Sequence, residues 1–215
     1  MCDLTPSVHV KNKRRTGMSG TGKIRIIGGL WRGRRLSVAD QPGLRPTPDR
    51  VRETLFNWLA GSIGGARCLD LFAGTGALGF EALSRGARCA VMVEENKQLA
   101  RRLQTSRATL AAASAEIIQA EAIAWLGERR DPFDIVFLDP PFHQDYVKKT
   151  CALLVNRGHL APSAYVYTET ERGVPSPAPG LKELKQARAG QVEYRLYQYY
   201  RSNMNEVDGN ISGNV

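Results

Sequence analysis

Apolar positions follow two alternating rhythms from Ala66 onward. Short, nearly continuous apolar runs give way to stretches in which apolar residues recur every three or four positions. The runs Arg67 to Phe72, Cys89 to Val93, Glu116 to Gln119 and Phe133 to Leu138 predict strands, and 77–85, 96–111, 121–128 and 145–155 predict the helices between them. Strands without polar alternation are buried on both faces, so the pattern predicts an α/β protein with a Rossmann-like, doubly wound parallel sheet. Further on, Ala164 to Glu169, 182–187 and 192–200 read as three more strands, with Arg188-Ala189-Gly190-Gln191 as a hairpin turn between the last two.

Upstream the pattern is shorter. Val51, Leu55, Trp58 and Leu59 recur at helical spacing behind Thr47-Pro48, which predicts a helix over 48–60 with Thr47 as N-cap and Pro48 in the first turn. Residues 24–38 alternate Ile24, Ile26, Ile27, Leu30, Trp31 and Leu36 with arginines and place Gly28-Gly29 and Gly33 as turn points, which predicts a small hairpin. The expected organisation is a disordered basic tail over 1–22, an appended basic β-hairpin over 23–43, one main domain over 44–201 and a frayed tail over 202–215. Met18 is a candidate natural start.

The composition of the 215 residues is that of a soluble globular protein. No apolar run nears the roughly 18 residues of a membrane span, and the N-terminus has no signal-peptide core, so a cytoplasmic protein with no membrane partner is expected. Cys2, Cys68, Cys89 and Cys151 are widely spaced with no C-x-x-C pair, the pattern of reduced structural thiols rather than of zinc or disulfides. The formal charge is +9, and its location changes the picture. Residues 1–35 hold nine Lys and Arg side chains against Asp3 alone, leaving 21 basic and 20 acidic residues in the remainder. A basic excess gathered at one end is the footprint of a nucleic-acid binder, and Arg25, Arg32, Arg34 and Arg35 are its folded part.

Two motifs carry chemistry. Asp70-Leu71-Phe72-Ala73-Gly74-Thr75-Gly76-Ala77-Leu78-Gly79 sets a G-x-G-x-x-G between a strand and a helix, a turn that brings a nucleotide cofactor to a helix N-terminus. Asp70 selects among cofactors, because an acid there repels a pyrophosphate and attracts the sulfonium and amino groups of S-adenosylmethionine. Glu94, ending the next strand, suits ribose hydroxyls, and Glu121 can reach the adenine amine or complement the dipole of the helix that it starts. Asp139-Pro140-Pro141-Phe142 follows the buried strand 133–138. Its prolines fix an open turn that delivers an acid, a free carbonyl and an aromatic face to the crevice where open α/β sheets bind ligands. An aromatic amine is a poor nucleophile, so a methyl acceptor of that kind needs its N–H groups held by acceptors such as the Asp139 carboxylate and the Pro140 carbonyl while Phe142 stacks on the base. No metal is needed for that reaction.

These residues resemble the class I S-adenosylmethionine-dependent methyltransferases, and more narrowly the bacterial 16S rRNA guanine-N2 methyltransferases that act on guanine 966. Arg25-Ile26-Ile27-Gly28-Gly29, Arg32-Gly33-Arg34-Arg35-Leu36, Arg45-Pro46-Thr47-Pro48-Asp49-Arg50-Val51-Arg52-Glu53, Leu55-Phe56-Asn57 and Tyr194-Arg195-Leu196-Tyr197 carry the narrower likeness, which spans residues 23–201. The resemblance implies a seven-stranded sheet with its last strand antiparallel and an RNA-binding N-terminal hairpin. It implies cofactor contacts from Thr47, Arg50, Glu53, Asp70, Phe72, Gly74, Gly76, Glu94, Glu121 and Ala122, and catalysis by Asp139, Pro140 and Phe142. The implied products are S-adenosylhomocysteine and N2-methylguanine in 16S rRNA, within a 30S subunit or assembly intermediate, made by a monomer. Gly29, Pro48 and Glu121 depart from the usual residues of the family. Two other readings are compatible with the motifs: an N6-adenine methyltransferase on DNA or RNA, which shares Asp-Pro-Pro-aromatic, and a non-catalytic RNA-binding or ribosome-assembly factor. An NAD-dependent enzyme has no evident use for the Asp139 turn.

Overall fold

The structure, a computed structural model, describes residues 23–37, 47–141, 146–173 and 179–200. Both tails, the 38–46 connection with Arg45-Pro46, and Phe142 lie outside these residues. Two strands, β1 (Lys23–Arg25) and β2 (Arg35–Ser37), pair antiparallel as the small hairpin. Helix α1 (Asp49–Trp58) leads into β3 (Arg67–Asp70), α2 (Ala77–Ser84), β4 (Cys89–Glu94), α3 (Lys97–Leu110), β5 (Ala115–Gln119), α4 (Ala122–Glu128) and β6 (Phe133–Leu138). Then come α5 (Tyr146–Asn156), β7 (Leu160–Glu171), β8 (Leu181–Ala189) and β9 (Val192–Tyr199).

The seven strands of the main sheet stand in the order β5-β4-β3-β6-β7-β9-β8. Pairing is parallel from β5 to β7, and β9 runs antiparallel to both β7 and β8. The order reverses between β3 and β6, which is the switch point where doubly wound sheets open a ligand crevice beyond the strand ends. Apolar residues bury both faces. Leu55, Phe56, Phe80, Phe137 and Tyr167 belong to the core under α1, α2 and α3, which also takes in Ile26 and Leu36 of the hairpin. Leu69, Trp125, Phe133, Val136, Cys151 and Leu154 belong to the core under α4 and α5. The expected fold class is the one observed.

Local differences have physical causes. Strand β7 starts four residues before the expected Ala164, because Pro162 and Ser163 are absorbed in an irregularity between the Phe133 and Ile135 pairings, with Ser163 at φ 62°. Thr47 is not the N-cap of α1. Pro48 takes that position without a side-chain cap and its carbonyl accepts the Val51 and Arg52 N–H groups, while the Thr47 hydroxyl turns inward.

Candidate active site

Strands β3, β4 and β6 end in acids at adjacent places. The Asp70 carboxylate is buried and accepts the Gly79 N–H at 3.0 Å, so the turn after β3 closes on its own acid. Gly74 and Gly76 take φ 51° and 76°, and a side chain at Gly76 would lie 2.6 Å from both Leu103 and Phe80. A side chain at Gly79 would meet Met92 of β4 at 2.7 Å. The glycine spacing thus serves the turn and the close packing of α2 on the sheet. Glu94 is buried and receives Gly74 N–H on Oε2 and Asn96 N–H on Oε1, each at 2.8 Å. Its carboxylate ties the turn after β3 to the end of β4.

Asp139 lies just beyond β6, partly open to the crevice, and its Oδ2 accepts the Thr47 hydroxyl at 3.1 Å. Burial raises the Asp70 carboxyl to about 7, against the Gly79 hydrogen bond, with the charges of Asp139 and Glu94 pushing the same way. Burial also raises Glu94 and Asp139. No Lys or Arg among the described residues forms an ion pair with Asp70, Glu94 or Asp139. A site that holds several buried acids beside one another in this way favours a cationic ligand.

The remaining expected contacts are placed as follows. Arg50 and Glu53 are exposed on α1, next to the Thr47-Pro48 entry. Phe72 packs edge-on against Tyr146 of α5, with ring centroids 5.6 Å apart. Glu121 caps α4, its Oε2 accepting Ala124 N–H at 2.7 Å, and Ala122 is buried beside it. Pro140 is buried after Asp139.

The hairpin is fastened by residues that sequence reasoning passed over. Glu81, wholly buried on α2, accepts Ile27 N–H on Oε2 at 2.8 Å and Gly28 N–H on Oε1 at 2.9 Å, and Arg85 donates to Oε1 at 2.7 Å. Arg52, also fully buried, reaches the Arg25 carbonyl at 2.8 Å and Asp49 at 2.6 Å, and its guanidinium lies 3.8 Å from Glu81. Ser84 donates to the Gly28 carbonyl at 2.6 Å and accepts Trp31 N–H at 2.9 Å. Gly29 sits so close that a side chain there would fall 1.7 Å from the Ser84 carbonyl oxygen, at φ 73°. Arg32 and Arg35 are exposed, Arg25 pairs loosely with Asp49 at 3.7 Å, and Arg34 donates to the Thr109 carbonyl near the end of α3 at 2.7 Å. Arg34 therefore also braces the hairpin.

Sequence reasoning also missed Glu169. It lies buried near the end of β7 and accepts the Tyr167 hydroxyl at 2.9 Å. The signal that could have found it is the two-residue period of the strand, which sets Tyr167 and Glu169 on one face.

Strand order, the antiparallel β9 and acids at the ends of β3, β4 and β6 define a class I methyltransferase fold. The chain belongs to the family described as conserved hypothetical protein 95, whose model matches residues 24–198. It is 48% identical over 192 residues to ribosomal RNA small subunit methyltransferase D of Escherichia coli, a match covering 88% of this chain and 97% of that protein. The protein of the same name from Haemophilus influenzae is 47% identical over 182 residues, or 82% of this chain and 94% of its own. Among solved structures, yhhF from Escherichia coli superposes with a TM-score of 0.78 at 49% identity, covering 83% of this chain and 99% of that one.

Proposed function

We propose that the chain transfers a methyl group from S-adenosylmethionine to the exocyclic N2 amine of a guanine in small-subunit ribosomal RNA, guanine 966 of the 16S molecule. The relatives' names support ribosomal RNA as substrate. The observation that carries the chemistry is Asp139, an acid held by Thr47 at the switch point of the sheet, one strand from the glycine turn. The buried acids fit the cofactor: Asp70 beside the glycine turn suits its cationic methionine part, and Glu94 suits its ribose. Ala122 flanks the adenine, and Glu121, engaged as a cap, supports that edge through the helix it starts.

When bound, the cofactor supplies an electrophilic methyl group on a positively charged sulfur. The chain's own part is orientation and charge. Asp139 and the Pro140 carbonyl accept the N–H groups of the target amine, hold its nitrogen towards the methyl donor and stabilise the positive charge that nitrogen gains. Phe142 stacks on the base. Exposed Arg32 and Arg35, with Arg25 and Arg34, contact phosphates and set the RNA on the domain. A paired guanine must leave its stack or be presented in a loop. The enzyme acts as a monomer in the cytoplasm, on a 30S subunit or an assembly intermediate. Base-resolved mapping of methylation in 16S rRNA from cells with and without the gene tests this: one N2-methylguanine should vanish with the gene. An unchanged guanine profile with loss of an N6-methyladenine would replace the guanine reading.

A further inference from the structure

Helix α3 carries charge that the methyl transfer does not use. Between Glu95 and Glu116 the sequence has no acid, and the helix inside that stretch holds Lys97, Arg101, Arg102 and Arg107. The balance over the whole chain hides this, because beyond residue 35 the basic and acidic side chains nearly cancel. Lys97, Arg101 and Arg102 are exposed, and among the described residues none of them forms an ion pair. Arg107 is half-buried in the last turn, where a cation suits the helix dipole, so the fold accounts for it.

The other three find no such account in the fold. Lys97 is the first residue of the helix, at the positive end of its dipole, and Lys97 and Arg101 are like charges one turn apart. Buried Leu99, Ala100, Leu103, Ser106 and Leu110 define the face laid on the sheet, so the exposed positions 97, 101, 102, 105 and 109 fall on the opposite one. Both ends of that outer face are fixed. At its start the Asn96 N–H donates to Glu94, the acid proposed for the ribose. At its finish Arg34 of the hairpin donates to the Thr109 carbonyl. Helix α3 has 14 residues and is about 21 Å long at 1.5 Å per residue. Arg34 at one end, Arg101 and Arg102 between and Lys97 at the other therefore line the way from the hairpin to the cofactor end of the crevice.

We propose that Lys97, Arg101 and Arg102 form a second RNA contact, a strip of α3 that takes phosphates of the substrate between the hairpin and the crevice. The kind of partner rests on the function proposed above. Exposed cations spaced along a helix, with no acid beside them, fit a polyanion met at successive phosphates rather than one small ligand, which would need a buried and converging set of groups. Their mutual repulsion weakens the free helix slightly and is relieved when phosphates bind.

The test titrates the full chain and its variants with 16S rRNA over a range of salt. Lys97→Gln with Arg101→Gln and Arg102→Gln should flatten the plot of log affinity against log salt by about 2–3, at about 0.7–0.9 for each phosphate no longer neutralised, with S-adenosylhomocysteine affinity unchanged. Its melting temperature should equal or exceed that of wild type, because the change removes repulsion within a helix; a marked fall would assign the cations to the fold instead. Arg129→Gln with Arg130→Gln and Arg157→Gln removes the same charge from exposed sites just after α4 and α5, on the opposite face of the sheet, and should keep the wild-type slope. Equal slopes for the two triple variants would reduce the effect to net charge and overturn the proposal. A wild-type slope for the α3 variant, while Arg32→Ala with Arg35→Ala still flattens the plot, would overturn it and leave the RNA reading standing. Wild-type slopes for both the α3 and the hairpin variants would remove the RNA reading and this proposal together.

Discussion

The crevice and the hairpin are both charged, but their charges are set in opposite surroundings. Asp70, Glu94 and Glu169 are buried, Asp139 opens only to the crevice, and burial raises all four carboxyls. Arg25, Arg32, Arg34 and Arg35 stand in water. Buried charges act strongly over a few ångströms and demand a partner, which suits one small cation and one amine. Exposed charges are screened by salt and individually weak, which suits a polyanion met at many points. What the hairpin lacks in buried functional charge it has in buried attachment, since Glu81 and Arg52 are wholly enclosed where it meets α1 and α2.

The largest expected effect comes from cutting that attachment. Glu81→Ala leaves Arg85 and two backbone N–H groups of the hairpin without their acceptor and removes the anion 3.8 Å from the buried Arg52 guanidinium, and breaking a buried pair in this way costs about 3–5 kcal/mol. Calorimetry should record a fall in melting temperature of roughly 10 °C, at about 2–4 °C per kcal/mol for a chain of this size. RNA affinity should fall further than S-adenosylhomocysteine affinity. A melting temperature near that of wild type would show that other contacts hold the hairpin.

Next is Asp139→Ala, which removes the acceptor proposed for the transition state and should slow single-turnover methylation by roughly a hundredfold to a thousandfold, or about 3–4 kcal/mol. Asp139→Asn keeps the shape without the charge and should fall between Ala and wild type. Near-wild-type rates for Ala, normalised to folded protein, would end the catalytic role.

The pH response separates the two regions. Burial lifts Asp70 from the ordinary carboxylate range to about 7, so the folded chain binds a proton that the unfolded chain has already released. Its contribution to stability is full below the unfolded value near 4 and disappears as pH rises through about 7. The free chain should lose stability over that window, and Asp70→Asn should lose less. Cofactor binding should tighten with rising pH and release protons below about 7, as calorimetry in buffers of different ionisation enthalpy would show. Proton release unchanged in Asp70→Asn would assign it to another acid.

Smaller still, Arg32→Ala with Arg35→Ala should flatten the plot of log RNA affinity against log salt by about 0.7–0.9 for each phosphate no longer neutralised, leaving cofactor affinity alone. Adding Arg34→Ala should also loosen the hairpin from α3. The least effect belongs to Arg25→Ala. Its exposed pair with Asp49 stabilises the fold by at most about 1 kcal/mol, so thermal melts should barely move.

The parallel strands and their helices were legible because burial on both faces writes an apolar run and helices write a period, both local signals. Asp70, Glu94 and Asp139 were legible for the same reason: each follows such a run directly. Glu81 and Arg52 were not, because a charged residue on a helix ordinarily faces water and only the docked hairpin encloses them. Thr47 was misread because a threonine before a proline and a helix is a good local cap, and the competing partner, Asp139, lies 92 residues away. The period of β7 puts Glu169 on the face of Tyr167, but that this face lies beside the end of β6 is set by the pairing of the two strands, which the sequence of β7 does not record.

Among the described residues, the last strand to be synthesised is not the last in space. Strand β9 occupies the slot between β7 and β8, so until Val192–Tyr199 has left the ribosome β7 has no outer neighbour and β8 has nothing to pair with. Tyr194, Leu196 and Tyr197, all buried in the finished protein, arrive at the same moment. A chain interrupted before Val192 presents the open edge of a long apolar strand, the kind of surface that pairs with other copies and aggregates. Folding of this half of the sheet must therefore wait for β9, and chaperone demand should concentrate in the interval between the emergence of β7 and the closing of β9.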